Sequence, residues 1–201
     1  MLLLTLFFVF LLPLETAAQL DSVSAISEIE MFRQTLNDEY KNPKESPLEA
    51  EAKSFTGHPF FPIDLTYRIL AKIEKLPVPE KFLMETTSSR RPEYLKEYKI
   101  TFTLRDTVCV LYAYRNIEIS KREGYEDYLF LPFTDPTNGF ESYGGGRYID
   151  LHTPKGDTIL IDFNQSYNPY CAYSWKYSCP VPPKENALPL KILAGIKAIP
   201  H

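Results

Sequence analysis

The stretch that decides the fold is residues 131–195, LPFTDPTNGFESYGGGRYIDLHTPKGDTILIDFNQSYNPYCAYSWKYSCPVPPKENALPLKILAG. It contains two of the three cysteines, a run of three glycines and the single tryptophan. Residues 146–151 and 158–163 lie on either side of a Lys-Gly-Asp turn and are predicted to form two strands. Residues 188–194 form another strand candidate. Because Asn, Tyr and Pro between these runs fix backbone shape, we expect the stretch to form a shaped polar surface.

Upstream of this stretch, alternation predicts more antiparallel strands. Residues 98–104 and 108–114 form a predicted hairpin through the turn Arg105-Asp106, although no glycine supplies the positive φ that tight hairpin turns prefer. Residues 65–73 form another predicted strand, which we expect Pro77 and Pro79 to end. Residues 82–87 and 128–133 complete the strand candidates.

The N-terminal part of the chain predicts one amphipathic helix over residues 22–41. Apolar side chains recur there at steps of three and four residues, at Ile26, Ile29, Phe32, Leu36 and Tyr40. Short strands at close intervals with turns between them are typical of antiparallel β proteins. We therefore expect a mainly β fold, an antiparallel sandwich or a partly closed barrel, with this helix packed on it.

Composition sets limits on the class of protein. At 201 residues the length favours one domain, and the 14% aromatic content favours a β-rich protein. The formal net charge is −4, and the most basic cluster is the short sequence at 88–91, Ser-Ser-Arg-Arg. Because nucleic acids are bound through dense positive charge, we expect no nucleic-acid partner.

The first 18 residues, MLLLTLFFVFLLPLETAA, are typical of a secretory signal. An apolar run precedes Pro13 and several small residues, which predicts cleavage after Ala18 or Gln19 and a mature domain of residues 19–201. The run is shorter than the roughly 20 residues of a membrane span, so we expect no stable span after cleavage. The alternative is an uncleaved anchor, because no Lys or Arg precedes the run. The protein is thus predicted to be exported, as a periplasmic or a secreted protein.

Export changes the interpretation of the cysteines. An oxidising compartment would allow Cys171 and Cys179 to form a disulfide across a short loop, and two packed thiols are the alternative. Cys109 lies in an apolar run and is interpreted as a small buried hydrophobic residue.

Three segments carry a resemblance to a known family: FTDPTNGFESYGGGRYIDL, IDFNQSYNPYCAYSWKYSCPVPPKEN and LPLKILAG, preceded by FTGHPFFPIDLTYRILAKI. Together they resemble the bacterial family of domains of unknown function numbered 1684, over a core of about residues 30–197. The resemblance implies no activity that can be transferred to this chain. The family usually has Glu where this chain has Ile196, so a site that uses that Glu would be altered here.

Arg147 is the side chain most suggestive of a site, because a guanidinium in an apolar, aromatic context needs a carboxylate. Asp135 or Asp162 would supply it, and the pair would either hold the sheet together or leave Arg147 to anchor a ligand. The alternative is a solvated Arg147. The candidate ligand-binding residues are Asp135, Tyr143, Arg147, Asp162, Asn164, Tyr167, Asn168 and Asn186.

These residues predict a binding module of the cell envelope for a small polar ligand, with a site around Arg147 and Asp162. One alternative is a hydrolase-like enzyme that uses Asp135 or Asp162 as acid or base. Another is a structural or interaction domain with an aromatic contact surface. We expect no cofactor and no metal, because the three histidines are scattered singly, and no particular protein partner is implied.

Overall fold

One antiparallel sheet of six strands curves until it is nearly closed into a barrel, in the order β5-β4-β3-β2-β1-β6. The structure is a computed structural model that describes the backbone of residues 14–199 and the side chains of residues 21–199. The strands are β1 (Arg68–Leu83), β2 (Glu93–Leu104), β3 (Thr107–Asn116), β4 (Tyr128–Phe133), β5 (Arg147–His152) and β6 (Thr158–Asp162). Two backbone hydrogen bonds between Tyr148 and Tyr167 connect β5 to the segment after β6. Of the two predicted architectures, a sandwich and a partly closed barrel, the structure therefore confirms the barrel.

The described residues contain one long helix, α1 (Leu14–Lys41), near the N-terminus as predicted, and its Glu28 forms an ion pair with Arg68 of β1. It begins at Leu14 rather than at residue 22, so the predicted cleavage site at Ala18 falls inside it, and residues 1–13 lie outside the described residues. Ile29 and Tyr40 of the predicted apolar stripe are buried. Within residues 14–199, no helix combines the length and apolarity that a membrane span requires.

The predicted hairpin is formed by β2 and β3, which pair from Leu104↔Thr107 onward. Its two-residue turn places Arg105 at φ 48° and Asp106 at φ 61°, the left-handed region that glycine or asparagine usually occupies. The Arg105 guanidinium donates a hydrogen bond of 2.7 Å to the Tyr67 hydroxyl and lies 5.2 Å from the Tyr67 ring centroid. These contacts help to hold a turn that lacks glycine.

The prediction that Pro77 and Pro79 end the first strand is wrong. β1 continues to Leu83 and includes the residues that were predicted as a separate short strand. Its register against β2 shifts between Lys75 and Glu80, so the prolines lie in a bulge of β1. Because proline has no N–H to donate, a bulge is one of the few places in a strand that accepts it.

Residues 188–194 do not form the predicted strand. The Leu188 amide donates to the Thr134 carbonyl, and the carbonyls of Ile192 and Ala194 accept hydrogen bonds from the Arg147 side chain instead of from a neighbouring strand. The buried guanidinium thus supplies hydrogen bonds to backbone carbonyls that a neighbouring strand would otherwise supply.

The sheet has a hydrophobic core on each face. Side chains from all six strands and from residues 188–194 fill the barrel interior. A second, largely aromatic core lies on the outer face, where its fully packed members are Met84, Tyr94, Tyr114, Phe130 and Tyr148. Since side chains alternate along a strand, Asp150 faces outward with Tyr148 and reaches the edge of this second core. The outer face therefore has aromatic side chains where an ordinary barrel would have solvated ones.

Candidate functional site

Arg147 lies at the end of the barrel interior, and its side chain is completely buried. Its Nη2 atom is 2.7 Å from Asp135 Oδ2 and donates to the Ile192 carbonyl at 2.9 Å, while Nη1 donates to the Ala194 carbonyl at 2.5 Å. Asp135 in turn accepts the amides of Thr137 and Ile192. Burial lowers the pKa of Arg147, and the Asp135 carboxylate acts in the opposite direction. The predicted choice between Asp135 and Asp162 is thus resolved in favour of Asp135, in a pair that joins parts of the fold.

Asp162 belongs to a different cluster. It forms an ion pair of 2.8 Å with Arg68, which also contacts Glu28 of α1 at 2.6 Å. The neighbouring Asn164 is fully buried and bonds both the amide and the carbonyl of Asp64, each at 3.0 Å. The structure therefore gives Arg147 and Asp162 separate carboxylate–guanidinium pairs.

The remaining asparagines also satisfy backbone groups. Asn186 donates to the carbonyls of Tyr112 and Pro132 at 2.8 and 2.7 Å and accepts the Tyr112 amide at 2.8 Å. Its buried amide thus bridges β3 and β4, which pair directly at Tyr114 and Phe130. Asn168 donates to the Lys197 carbonyl at 3.2 Å, and its Oδ1 atom has no partner.

The cysteines are all free thiols in the structure. The predicted disulfide between Cys171 and Cys179 is not formed, and the structure shows the alternative of two packed thiols. The Cys171 amide donates to the Cys179 sulfur at 3.2 Å, and the Tyr143 hydroxyl lies 3.9 Å from the Cys171 sulfur. Hydrogen bonding from the Cys179 thiol lowers the pKa of Cys171 to about 6. Cys109 is buried, as predicted.

A cavity of about 470 Å³ opens outside the barrel. It lies between α1, the outer face of β2 to β5 and the segment of residues 167–180. Phe32 and Leu36 of the predicted helix stripe face it rather than a solid core. Six tyrosines form much of its wall: Tyr94, Tyr128, Tyr148, Tyr167, Tyr170 and Tyr177. Of the predicted ligand-binding residues, only Tyr167 lies on this wall, together with the predicted disulfide partner Cys179.

Asp150 is the polar centre of the cavity. Its Oδ1 atom accepts hydrogen bonds from the hydroxyls of Tyr128 at 2.6 Å and Tyr167 at 2.7 Å. Burial, followed by the charge of Asp150, raises the pKa of both phenols, so both remain neutral donors. The Tyr148 hydroxyl donates to the Pro180 carbonyl and ties the 167–180 segment to β5. The carboxylate is therefore oriented by two rigid aromatic side chains.

Two further charged residues line the cavity. Glu39 lies on α1, and its pKa is raised by burial first and then by the neighbouring carboxylates Glu45 and Asp150. Arg90 donates to the Ser178 carbonyl at 2.7 Å and to the Ser178 hydroxyl at 3.3 Å. The cavity thus combines an apolar aromatic wall with two carboxylates and one guanidinium.

Sequence reasoning missed most of this site. One available signal was the pattern Tyr128-x-Phe130 in β4 and Tyr148-x-Asp150 in β5, which places aromatic side chains on the face opposite to the interior residues. A strand that is apolar on both faces is covered on both faces. That pattern predicts that another element of the chain packs on the outer face of the sheet. Only the structure shows that α1 leaves a cavity between itself and this face.

Aromatic packing around His58 holds α1 against the 167–180 segment. The His58 ring centroid lies 4.3 Å from that of Tyr40 and 5.4 Å from that of Tyr173, and its Nδ1 atom is 3.2 Å from the Tyr173 hydroxyl. Its Nε2 atom is buried without a partner. Burial lowers the pKa of His58 to about 4, so the ring is neutral in the folded protein at neutral pH.

Comparisons with known proteins agree with the predicted family. Residues 53–197 match the family described as "Protein of unknown function (DUF1684)", and the chain belongs to this family. The solution NMR structure of an uncharacterized protein from the archaeon Haloarcula marismortui is similar, with 33% identity and a TM-score of 0.68 over 88% of this chain and 96% of that chain. No curated protein matches the chain. A relative from an archaeon does not support the bacterial part of the predicted attribution.

Replacing Arg147 with Met should destabilise the protein by roughly 3–5 kcal/mol, because Asp135 would become a buried charge without a partner. Adding Asp135→Asn to Arg147→Met should recover part of that loss, and the surface variant Arg122→Met should change stability by less than about 0.5 kcal/mol. Chemical denaturation at pH 7 measures all four proteins. Equal losses in the single and double variants would show that the ion pair is not what holds this end of the barrel.

His58 should make the protein less stable as the pH falls from about 6.5 towards 4. The unfolded chain binds a proton near its ordinary pKa of about 6.5, whereas the folded protein resists protonation until about pH 4. Stability from this residue is therefore complete above pH 6.5 and decreases by about 1.4 kcal/mol per unit below it. Chemical denaturation of wild type and His58→Gln at pH 7.5, 6 and 5 should show that the free energy of unfolding depends less on pH in the variant. The same dependence in both proteins would show that protonation of His58 does not cause the loss of stability.

Proposed function

We propose that the protein is exported and binds a small organic ligand in the cavity between α1, the outer sheet face and the 167–180 segment. The observation that carries this proposal is the cavity of about 470 Å³ with its tyrosine wall around Asp150. Its volume lies within the roughly 300–1,000 Å³ of ligand pockets, and an apolar wall with a few oriented polar groups is typical of them. The mature chain of residues 19–201 would form the binding unit.

This site replaces the one predicted around Arg147 and Asp162. Both of those side chains already bind a partner inside the fold, and Arg147 has no exposed surface that a ligand could contact. Tyrosine, by contrast, offers a large contact area with few rotatable bonds, so that little conformational entropy is lost on binding. Binding through the cavity therefore needs no rearrangement of the barrel interior.

A second candidate is a hydrolase that uses the same cavity, and the raised pKa of Glu39 is the observation that favours it. Catalytic acids and bases are often carboxylates whose pKa is raised by burial and by like charges. Hydrolysis of 4-nitrophenyl esters that disappears in Glu39→Gln would favour this candidate over binding alone. A contact surface for another protein, the remaining alternative, would leave the cavity without small-molecule binding.

Export is supported by the apolar run of residues 2–12, the following Pro13 and the small residues before Gln19. Expression of the full chain in a Gram-negative host should give periplasmic or secreted protein whose mass corresponds to a start at Gln19 or Leu20. Cytoplasmic protein of full length would contradict export, and Phe8→Arg, which interrupts the apolar run, is the control.

Filling the cavity should abolish ligand binding. Thr35 of α1 lines the cavity, so Thr35→Trp would place a large side chain inside it, whereas Met31→Trp adds the same ring at an exposed position outside the lining. Binding of 3-phenylpropanol, 3-phenylpropylammonium and 3-phenylpropanoate is followed by NMR titration. At least one probe should bind wild type and Met31→Trp with similar affinity and bind Thr35→Trp at least tenfold more weakly. Equal binding by both variants, or no binding by any probe, would contradict the proposed site.

A further inference from the structure

The two carboxylates of the cavity, Asp150 and Glu39, are both exposed residues, and neither has a basic partner like those of the buried carboxylates. Asp135, Asp162 and Glu97 each pair with an arginine, at 2.7, 2.8 and 2.5 Å. Among residues 21–199, no Lys, Arg or His forms an ion pair with Asp150 or Glu39, although the two carboxylates lie close enough to affect one another electrostatically. The cavity therefore holds negative charge that the described part of the protein does not neutralise.

The hydrogen bonds of Asp150 leave one oxygen available. Both phenols, from Tyr128 and Tyr167, donate to Oδ1, and no described residue donates to Oδ2. The two tyrosines fix the carboxylate in one orientation without neutralising it, because a neutral hydroxyl supplies a dipole and no charge. An incoming N–H donor with a positive charge would form a charge-assisted hydrogen bond at Oδ2.

The aromatic wall adds to the same preference. The faces of tyrosine rings carry negative electrostatic potential, so a cation near them is attracted most strongly when water is excluded. Tyr148 and Tyr167 contact each other edge to face, with ring centroids 5.9 Å apart, and both line the cavity beside Asp150. Rings and carboxylate thus favour the same charge at the same end of the cavity.

The one guanidinium of the lining is not paired with either carboxylate. Arg90 contacts the carbonyl and the hydroxyl of Ser178, and its charge acts on Tyr94 at the start of β2. Asp150 and Glu39 are therefore left without a paired cation among the described residues.

We propose that the ligand is an organic cation, an ammonium group on an apolar body, whose charge binds at Asp150 and Glu39 and whose body packs on the tyrosine wall. The inference rests on the proposed function, since it names the chemical class that the same cavity would bind. An anionic ligand would bring its charge to two carboxylates, and a neutral ligand would leave both without a positive charge beside them.

A set of three probes with one shared body tests this inference at pH 7.5: 3-phenylpropylammonium, 3-phenylpropanol and 3-phenylpropanoate, which carry positive, zero and negative charge. Calorimetric titration of the full mature chain should give a Kd for the cation at least about tenfold lower than for the alcohol, with the anion weakest. Asp150→Asn should reduce the advantage of the cation over the alcohol at least fivefold and leave the Kd of the alcohol within about twofold. Glu39→Gln, which removes the second carboxylate of the cavity, should reduce the advantage in the same direction.

Glu123→Gln is the matched control, because it removes one carboxylate at an exposed position outside the cavity and should leave all three affinities unchanged. Circular dichroism of each variant shows whether it is folded. If Asp150→Asn does not fold, Glu39→Gln still tests the inference. Equal affinities for cation and alcohol, or tightest binding of the anion, would overturn the inference while the cavity remains a binding site. A cation preference that survives in both Asp150→Asn and Glu39→Gln would also overturn it. Loss of all binding in wild type would count against the proposed function as well.

Discussion

The buried ion pair between Arg147 and Asp135 is the interaction on which the rest of the structure depends. An isolated charge in the interior would cost several kcal/mol, so each residue is tolerated only because the other is in place. The guanidinium also donates to the carbonyls of Ile192 and Ala194, which belong to a segment without secondary structure of its own. One side chain thereby fixes the end of β5, the turn at Asp135 and the C-terminal segment together.

The interior of the barrel is closed at this pair, whereas the outer face has an open cavity. The interior is filled by side chains, as expected of a small barrel. The outer face of β2 to β5 carries the second aromatic core, and α1 with the 167–180 segment covers it incompletely. His58, packed between Tyr40 and Tyr173, holds these two covering elements together, so the shape of the cavity depends on contacts that lie outside its lining.

The sequence predicted the local structure better than the site. Alternation identified the hairpin of β2 and β3, and short runs between turn signals identified β4 to β6, because both signals depend on neighbouring residues. It failed at Pro77 and Pro79, where pairing with β2 accommodates a bulge, and at residues 188–194, where Arg147 supplies the hydrogen bonds. The need of Arg147 for a carboxylate was predictable, but the choice of Asp135 depends on how distant loops meet. The cavity was not predictable, because it is a gap between elements that are far apart in sequence.

The second half of β1 is an open edge of the sheet, which matters for contact between copies of the chain. Pairing with β6 ends at Lys72, so from Ile73 to Leu83 one edge of β1 has no strand beside it among the described residues. An open edge of this length is a template on which a second chain could extend the sheet. Here the edge carries two prolines that cannot donate hydrogen bonds and alternating charges that include Glu80 and Lys81. The prolines that make this strand hard to predict from sequence thus lie on an edge whose charges and missing N–H groups disfavour pairing with a second chain.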